Sequence, residues 1–140
     1  MSLLRLEAVR KGFRRGREEV LALDGVDLRV DAGGFTALVG PSGSGKSTLL
    51  HLAGGLDKPD AGRILLEDRD LSTPSAGERA QLRRRHVGFV FQFFHLIPTL
   101  TVSENVELPI VLDGALTRNG RVGELLDRVG LSHRSDHVQG

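Results

Sequence analysis

The chain has 140 residues, of which 39% are hydrophobic and 26% charged, so its composition is that of an ordinary globular domain and excludes disordered and fibrous classes. Its 19 lysines and arginines nearly balance 18 aspartates and glutamates, which argues against a bulk electrostatic partner such as nucleic acid. It has no cysteine, which excludes disulfides and cysteine-bound zinc and favours a reducing compartment. No apolar stretch reaches the roughly 20 residues that a membrane helix needs.

The N-terminal part predicts an antiparallel hairpin followed by a buried strand. Residues 3–9 and 20–30 alternate imperfectly between apolar and polar side chains, and the segment 14–17 between them is rich in Gly and Arg, as in a turn. Residues 35–39 are almost continuously apolar, which is the pattern of a strand covered on both faces in a parallel sheet. This predicted strand leads directly into a glycine-rich loop.

Helices and strands are predicted to alternate after that loop. In chain order they are a helix over 46–53, a strand over 63–67, a helix over 75–84, a buried strand over 87–91, a helix from 101 and a last helix near 122–129. Ser75 and Thr101 are each followed three residues later by Glu, which is the capping box of a helix start. Pro109 should end or kink its helix because it lacks an amide donor. This order of elements indicates an α/β fold.

In the most specific motif of the sequence, two glycines stand five positions apart and the second is followed directly by Lys and Ser. Its residues are Gly40, Pro41, Ser42, Gly43, Ser44, Gly45, Lys46 and Ser47. Glycines let successive backbone amides point inward around an anion, and the helix start adds unpaired amides and a positive dipole end. Lys46 would contact the β and γ phosphates, Ser47 would hold the bridging Mg²⁺, and Thr48 is a further candidate phosphate contact. The motif therefore predicts a nucleotide phosphate site.

A phosphate-binding loop alone leaves several classes open, including GTPases, small-molecule kinases, helicases and transporters. A GTPase should carry an Asn-Lys-x-Asp guanine-binding motif, but Asn105 and Asn119 are followed by Val and Gly. A nucleotide kinase needs a second substrate site, and no segment of the sequence indicates one. The residues around the loop must therefore decide between the classes.

Three strings of the sequence resemble ABC-transporter ATPases, with a match over essentially the whole chain. They are residues 40–50, Val87-Gly-Phe-Val-Phe-Gln92, and residues 96–109, of which the last is most similar to the subgroup that serves lipoprotein release and macrolide or peptide export. The resemblance implies an α/β P-loop NTPase fold with an N-terminal antiparallel hairpin and a truncated RecA-like core. Residues 1–92 would form the β subdomain and the core, and residues 93–140 the start of the helical subdomain.

The resemblance also implies roles for individual residues. Phe13 falls where the family places an aromatic residue that stacks on adenine, although a phenylalanine of the hairpin core is the alternative. Gln92 matches the glutamine that reaches the magnesium and the attacking water, although it could simply close a strand end. Lys46 and Gln92 are thus the candidate catalytic residues, Ser47 and Gln92 the candidate metal ligands, and ATP and Mg²⁺ the implied cofactors.

Partners and location follow from the same resemblance. Residues 93–109 match the region that contacts the cytoplasmic helix of a transporter membrane subunit, and a second ATPase subunit would complete a homodimer. The implied location is the cytoplasm, peripheral to the inner face of the plasma membrane through the membrane subunit.

The family's Leu-Ser-Gly-Gly-Gln signature, Asp-Glu strand and switch histidine do not occur in the 140 residues. The general base is therefore absent, and we expect no ATP turnover by this chain alone. One interpretation is the ATP-binding part of a subunit that couples ATP binding and hydrolysis to export or to lipid, lipoprotein or peptide transport. The alternative is a non-hydrolysing regulatory fragment or another P-loop nucleotide-binding protein. A reading frame that continues past codon 140 into Leu-Ser-Gly-Gly would favour the first.

Overall fold

The computed structural model describes residues 2–114 and 120–138, with Arg15 described by its backbone alone. The described elements are strands β1 (Ser2–Arg15) and β2 (Glu18–Asp31), helix α1 (Lys46–Ala53), strands β3 (Ala61–Leu66) and β4 (Arg69–Asp70), helices α2 (Ala76–His86), α3 (Val102–Leu112) and α4 (Arg121–Arg128), and a 3₁₀ turn (Ser132–Arg134). They belong to two compact units, Met1–Val87 and Gly88–Gly140.

The first unit is built on the predicted antiparallel hairpin, which is confirmed. β1 and β2 pair along their length around a turn that contains Gly16, whose φ of 67° is the left-handed conformation that a tight turn requires. The register places Phe13 opposite Val20, and an irregularity between Val9 and Lys11 shifts the pairing within β1. The hairpin therefore carries Phe13 close to its turn end.

One antiparallel sheet and two helices complete this unit. β3 pairs with β1 on the side away from β2, and β4 pairs with β3, which gives the strand order β2-β1-β3-β4. Leu49 and Leu52 of α1 are buried in the core, and each buried leucine side chain stabilises the fold by about 1.5–3 kcal/mol. The core consists of Leu6, Val9, Leu23, Leu49, Leu52, Ile64, Leu66 and Leu71. It therefore fixes α1, the helix after the glycine-rich loop, against the hairpin.

The predicted helices of the first unit are confirmed. α1 covers the predicted residues and ends at Gly54, whose amide donates to the carbonyl of Leu50 at 2.9 Å. α2 begins with the predicted capping box, in which the Ser75 hydroxyl accepts from the Glu78 amide at 3.3 Å and the Glu78 carboxylate accepts from the Ser75 amide at 2.8 Å. Both helix starts were readable from local sequence because their hydrogen bonds are local.

Two predicted strands are wrong as strands. Residues 35–39 and 87–91 pair with no strand in the described parts of the chain, and Phe35, Val39 and Val90 are 97%, 90% and 102% exposed. A strand needs a neighbour for its amides and carbonyls, and none of the four strands in the described sheet pairs with these segments. The apolar pattern of a segment predicts that it is buried. It does not identify the strand that would pair with it.

The second unit contains α3, α4 and the 3₁₀ turn. α3 begins with the predicted capping box, formed by Thr101 and Glu104, and α4 buries the predicted apolar residue Leu126. Pro109 lies inside α3 and the helix continues beyond it to Leu112, so of the two predicted outcomes, an end or a kink, the helix does not end at the proline. A proline is tolerated this close to a C-terminal end because only the few hydrogen bonds of the last turn are affected. None of the helices that the structure describes is long and apolar enough to cross a membrane.

Candidate functional site: a cleft between the glycine-rich loop and the hairpin

The loop before α1 depends on glycine for both its backbone angles and its close packing. Gly43 and Gly45 have φ values of 79° and 87°, which L-residues with a side chain rarely adopt. A Cβ on Gly45 would lie 2.6 Å from the carbonyl oxygen of Ala22 on β2, and a Cβ on Gly40 would lie 2.9 Å from the Ser44 hydroxyl. The loop is therefore wrapped tightly on itself and against the hairpin.

The N-terminal end of α1 faces out of this loop. The first amide to donate within the helix is that of Leu49, which reaches the Gly45 carbonyl at 2.8 Å. The amides of Lys46, Ser47 and Thr48 precede it and have no acceptor within the helix. Ser47 is exposed, and Lys46 and Thr48 are half-buried. Unpaired amides at the positive end of the helix dipole make this position suited to phosphate.

The Lys46 side chain is held at the loop by three hydrogen bonds. Its Nζ donates to the carbonyl oxygens of Gly40 at 2.8 Å and Pro41 at 2.6 Å, and to the Ser44 hydroxyl at 3.3 Å. These acceptors match the three protons of the ammonium group. The positive charge is thus fixed at the loop, beside the amides of the helix start, where phosphate oxygens can compete for its protons.

The loop and the hairpin enclose an open cleft of about 560 Å³. Phe13 is 47% exposed in this cleft and is not one of the core residues. The lining consists of Phe13, Val20, Leu21 and Ala22 from the hairpin, and Ser42, Gly43, Gly45, Lys46, Ser47 and Thr48 from the loop and α1. The structure therefore brings an accessible aromatic ring and the unpaired amides of a helix start into one cleft.

The remaining predicted residues belong to the loop and to the second unit. Gly40, Pro41 and Ser44 form the part of the loop that holds Lys46. Gln92 lies at an exposed bend in the second unit, so its role at the magnesium stays a prediction. Among the described residues there is no group of three or more histidines, aspartates and glutamates that could hold a metal ion.

Sequence reasoning missed part of the hairpin side of the cleft. Val20 could have been found by pairing residues outward from the turn, because that register sets it opposite Phe13. Lys11, which does not line the cleft but lies over the Phe13 ring, was also missed, although it stands two residues from both Val9 and Phe13, on the same face of an alternating strand. A lysine at such a position is a detectable signal, and it is buried in the structure, with 8% of its surface exposed.

A glycine-rich loop leading into a helix, with an aromatic residue on a neighbouring hairpin, defines a P-loop nucleotide-binding domain. The chain belongs to the ABC transporter family, whose model matches residues 23–140. It is 45% identical to the lipoprotein-releasing system ATP-binding protein LolD of Xanthomonas campestris, over 97% of this chain and 58% of that protein. It is 43% identical to the LolD protein of Paramagnetospirillum magneticum, over 98% of this chain and 62% of that protein.

Solved structures agree with the sequence relatives. The ATP-binding cassette MJ0796, in a dimeric post-hydrolysis state bound to ADP and Pi, matches with a TM-score of 0.87 at 37% identity, over 96% of this chain and 61% of that chain. These findings confirm the predicted family and the predicted α/β, ABC ATPase-like fold class. The chain spans about three fifths of the length of these relatives.

Proposed function

We propose that this chain is the ATP-binding part of an ABC transporter subunit and that it binds MgATP in the cleft between the glycine-rich loop and the hairpin. The observation that carries the proposal is that Phe13 and the start of α1 line the same cleft. The triphosphate would lie on the loop, and the adenine would stack on the exposed ring.

The residues of the loop have the chemistry that a magnesium-bound triphosphate needs. The amides at the start of α1 would donate to phosphate oxygens. Lys46 would exchange its hydrogen bonds to the loop for hydrogen bonds to the β and γ phosphates. The exposed hydroxyl of Ser47 would hold Mg²⁺. When bound, Mg²⁺ supplies positive charge to the phosphates. The charge of Lys46 beside the unpaired amides of the helix start supports this fit.

For the whole protein we propose ATP-driven transport of the kind named in its relatives, the release of lipoproteins. Residues 93–109 would contact a membrane subunit, and Phe93, Phe94 and Leu96 are 71%, 79% and 45% exposed, as a docking surface requires. A second ATPase subunit would pair with this one, in line with the dimeric MJ0796 cassette. The subunit would thus act in the cytoplasm at the inner face of the membrane.

The proposal is tested by removing the loop cation. Lys46→Ala should weaken MgATP binding about 10- to 100-fold, because charge-assisted hydrogen bonds contribute about 1.5–3 kcal/mol each. Binding is measured by titration with a fluorescent ATP analogue. Arg29→Ala is the matched control, since it removes an exposed cation from β2 that pairs with Asp31. Equal MgATP affinity in the wild type and Lys46→Ala would refute the site.

A further inference from the structure

Lys11 is a buried cation with three oxygen atoms near its ammonium group. Its Nζ lies 2.8 Å from Asp57 Oδ2 and 3.6 Å from Asp60 Oδ1, and it donates to the Lys58 carbonyl at 2.9 Å. Burial of a charge is unfavourable unless it is paired and hydrogen-bonded, and here the ammonium donates to Asp57 and to the Lys58 carbonyl and forms a longer ion pair with Asp60. We call Lys11, Asp57, Asp60 and the Lys58 carbonyl the Lys11 cluster.

The Lys11 cluster connects the two sides of the nucleotide cleft. Asp57 and Asp60 lie in the segment between α1 and β3, and α1 is the helix that begins at the phosphate loop. Asp60 is tied to β1 twice more, since its amide donates to the Arg10 carbonyl at 2.9 Å and its carboxylate accepts from the Gly12 amide at 2.8 Å. The strand that carries Phe13 is therefore fastened to the far end of the phosphate-binding helix.

The cluster also reaches the Phe13 ring directly. Lys11 Nζ lies over the ring, 5.6 Å from its centroid, which is within the range of a cation–π attraction. Partial burial works to raise the pKa of Asp57, but the hydrogen bonds from Lys11 and from the Lys58 amide outweigh it, so that pKa lies below its ordinary value. Asp57 is therefore ionised at neutral pH and anchors the ammonium that lies over the ring.

We propose that Lys11 is a positioning residue for the nucleotide base. Its ammonium, anchored by Asp57 and Asp60, holds the half-exposed Phe13 ring in the orientation that accepts adenine. The inference rests on the proposed function, because it assumes that ATP occupies the cleft. It assigns to Lys11 only the base-dependent part of the affinity, since the triphosphate is held by the glycine-rich loop on the other side of the cleft.

The inference is tested by comparing ATP with inorganic tripolyphosphate, which has the phosphates but no base. In the full chain, Lys11→Met should weaken ATP binding about 3- to 10-fold and leave tripolyphosphate binding unchanged. The variant should fold, because the side chains of Asp57 and Asp60 are 45% and 55% exposed and remain solvated without the lysine. Arg10→Met is the matched control: it removes one positive charge from the same strand, where Arg10 pairs with Asp24.

A second variant keeps the test valid if Lys11→Met does not fold. In Asp57→Asn the Lys11 ammonium keeps Asp60 and the Lys58 carbonyl as partners. This variant should also weaken ATP binding without changing tripolyphosphate binding, but only by a factor of about 2. The double variant should lose no more than Lys11→Met alone, since the two residues act through one contact.

The outcomes separate the two proposals. Unchanged ATP affinity in Lys11→Met, or equal weakening of ATP and tripolyphosphate binding, overturns the positioning role. The proposed nucleotide site still stands in that case if the wild type binds ATP and Lys46→Ala weakens that binding. Failure of the wild type to bind either ligand overturns both. A loss confined to ATP, absent in Arg10→Met, supports the inference.

Discussion

At the scale of single residues, the glycine-rich loop is the part of the site that could be predicted from sequence. Its function depends on neighbours in the chain: the left-handed angles of Gly43 and Gly45, the first amides of α1, and a lysine that bonds to its own loop. The role of Lys11 could not be predicted in the same way. Its partners Asp57 and Asp60 come from a distant segment, and only the fold brings them to β1.

Phe13 is the residue on which base recognition depends in this account. Phe13→Ala should weaken ATP binding by about 1–3 kcal/mol and leave tripolyphosphate binding unchanged, because stacking on a base is lost while the phosphate site is intact. Phe13→Tyr should be nearly silent, since tyrosine keeps the aromatic face. Titrations with both ligands and a far-UV circular dichroism spectrum check this. An unfolded Phe13→Ala variant would instead show that the ring serves the hairpin core.

At the scale of elements, local signals were reliable and long-range pairing was not. The hairpin turn at Gly16, the glycine stop at Gly54 and both capping boxes depend on residues a few positions apart, and the structure has all of them. Residues 35–39 and 87–91 carry the apolar pattern of buried strands, but a parallel strand requires partners far away in sequence. The described residues provide none, so these segments are exposed.

The capping boxes should make helix content sensitive to acid. The pKa of Glu78 is lowered chiefly by its hydrogen bond with the Ser75 hydroxyl, and the pKa of Glu104 chiefly by its hydrogen bond with the Thr101 amide. A carboxyl whose pKa is lower in the folded state stabilises that state above its unfolded pKa. This contribution is lost as the pH falls from the ordinary value of 4.5 through the lowered one.

The measurement is an acid titration of far-UV circular dichroism. Glu104→Gln keeps an oxygen acceptor but removes the titrating group, so its helix signal should change less below pH 4.5 than that of the wild type. Glu107→Gln, which removes a carboxylate from the middle of the same helix, serves as the control. Identical acid profiles for the wild type and Glu104→Gln would show that the box does not govern the end of α3.

At the scale of the whole molecule, the exposed apolar segments limit stability in solution. Phe35, Val39 and Val90 are almost fully exposed, on backbone that pairs with no strand among the described residues. Such segments favour association with other chains, because unpaired amides and carbonyls beside exposed apolar side chains can pair with a strand of another molecule. We therefore expect the 140-residue chain by itself to be poorly soluble, to bind hydrophobic dyes and to melt without a sharp transition.

Calorimetry combined with sedimentation analysis checks this expectation. A control variant with Val39→Thr and Val90→Thr should be more soluble, because it removes exposed apolar surface without touching the core. A monomeric wild-type chain with one sharp, cooperative transition would show that these segments are covered in solution.

The central claim is that adenine lies against the hairpin while the triphosphate lies on the loop, and photolabelling with 8-azido-ATP tests it most directly. The reactive group sits on the base, so we predict that the label maps to the hairpin peptide containing Phe13 and Val20, the cleft residues that face each other across the strands. The label should be lost with excess ATP and in Lys46→Ala. Labelling elsewhere in the chain, or hairpin labelling that persists in Lys46→Ala, would contradict the account.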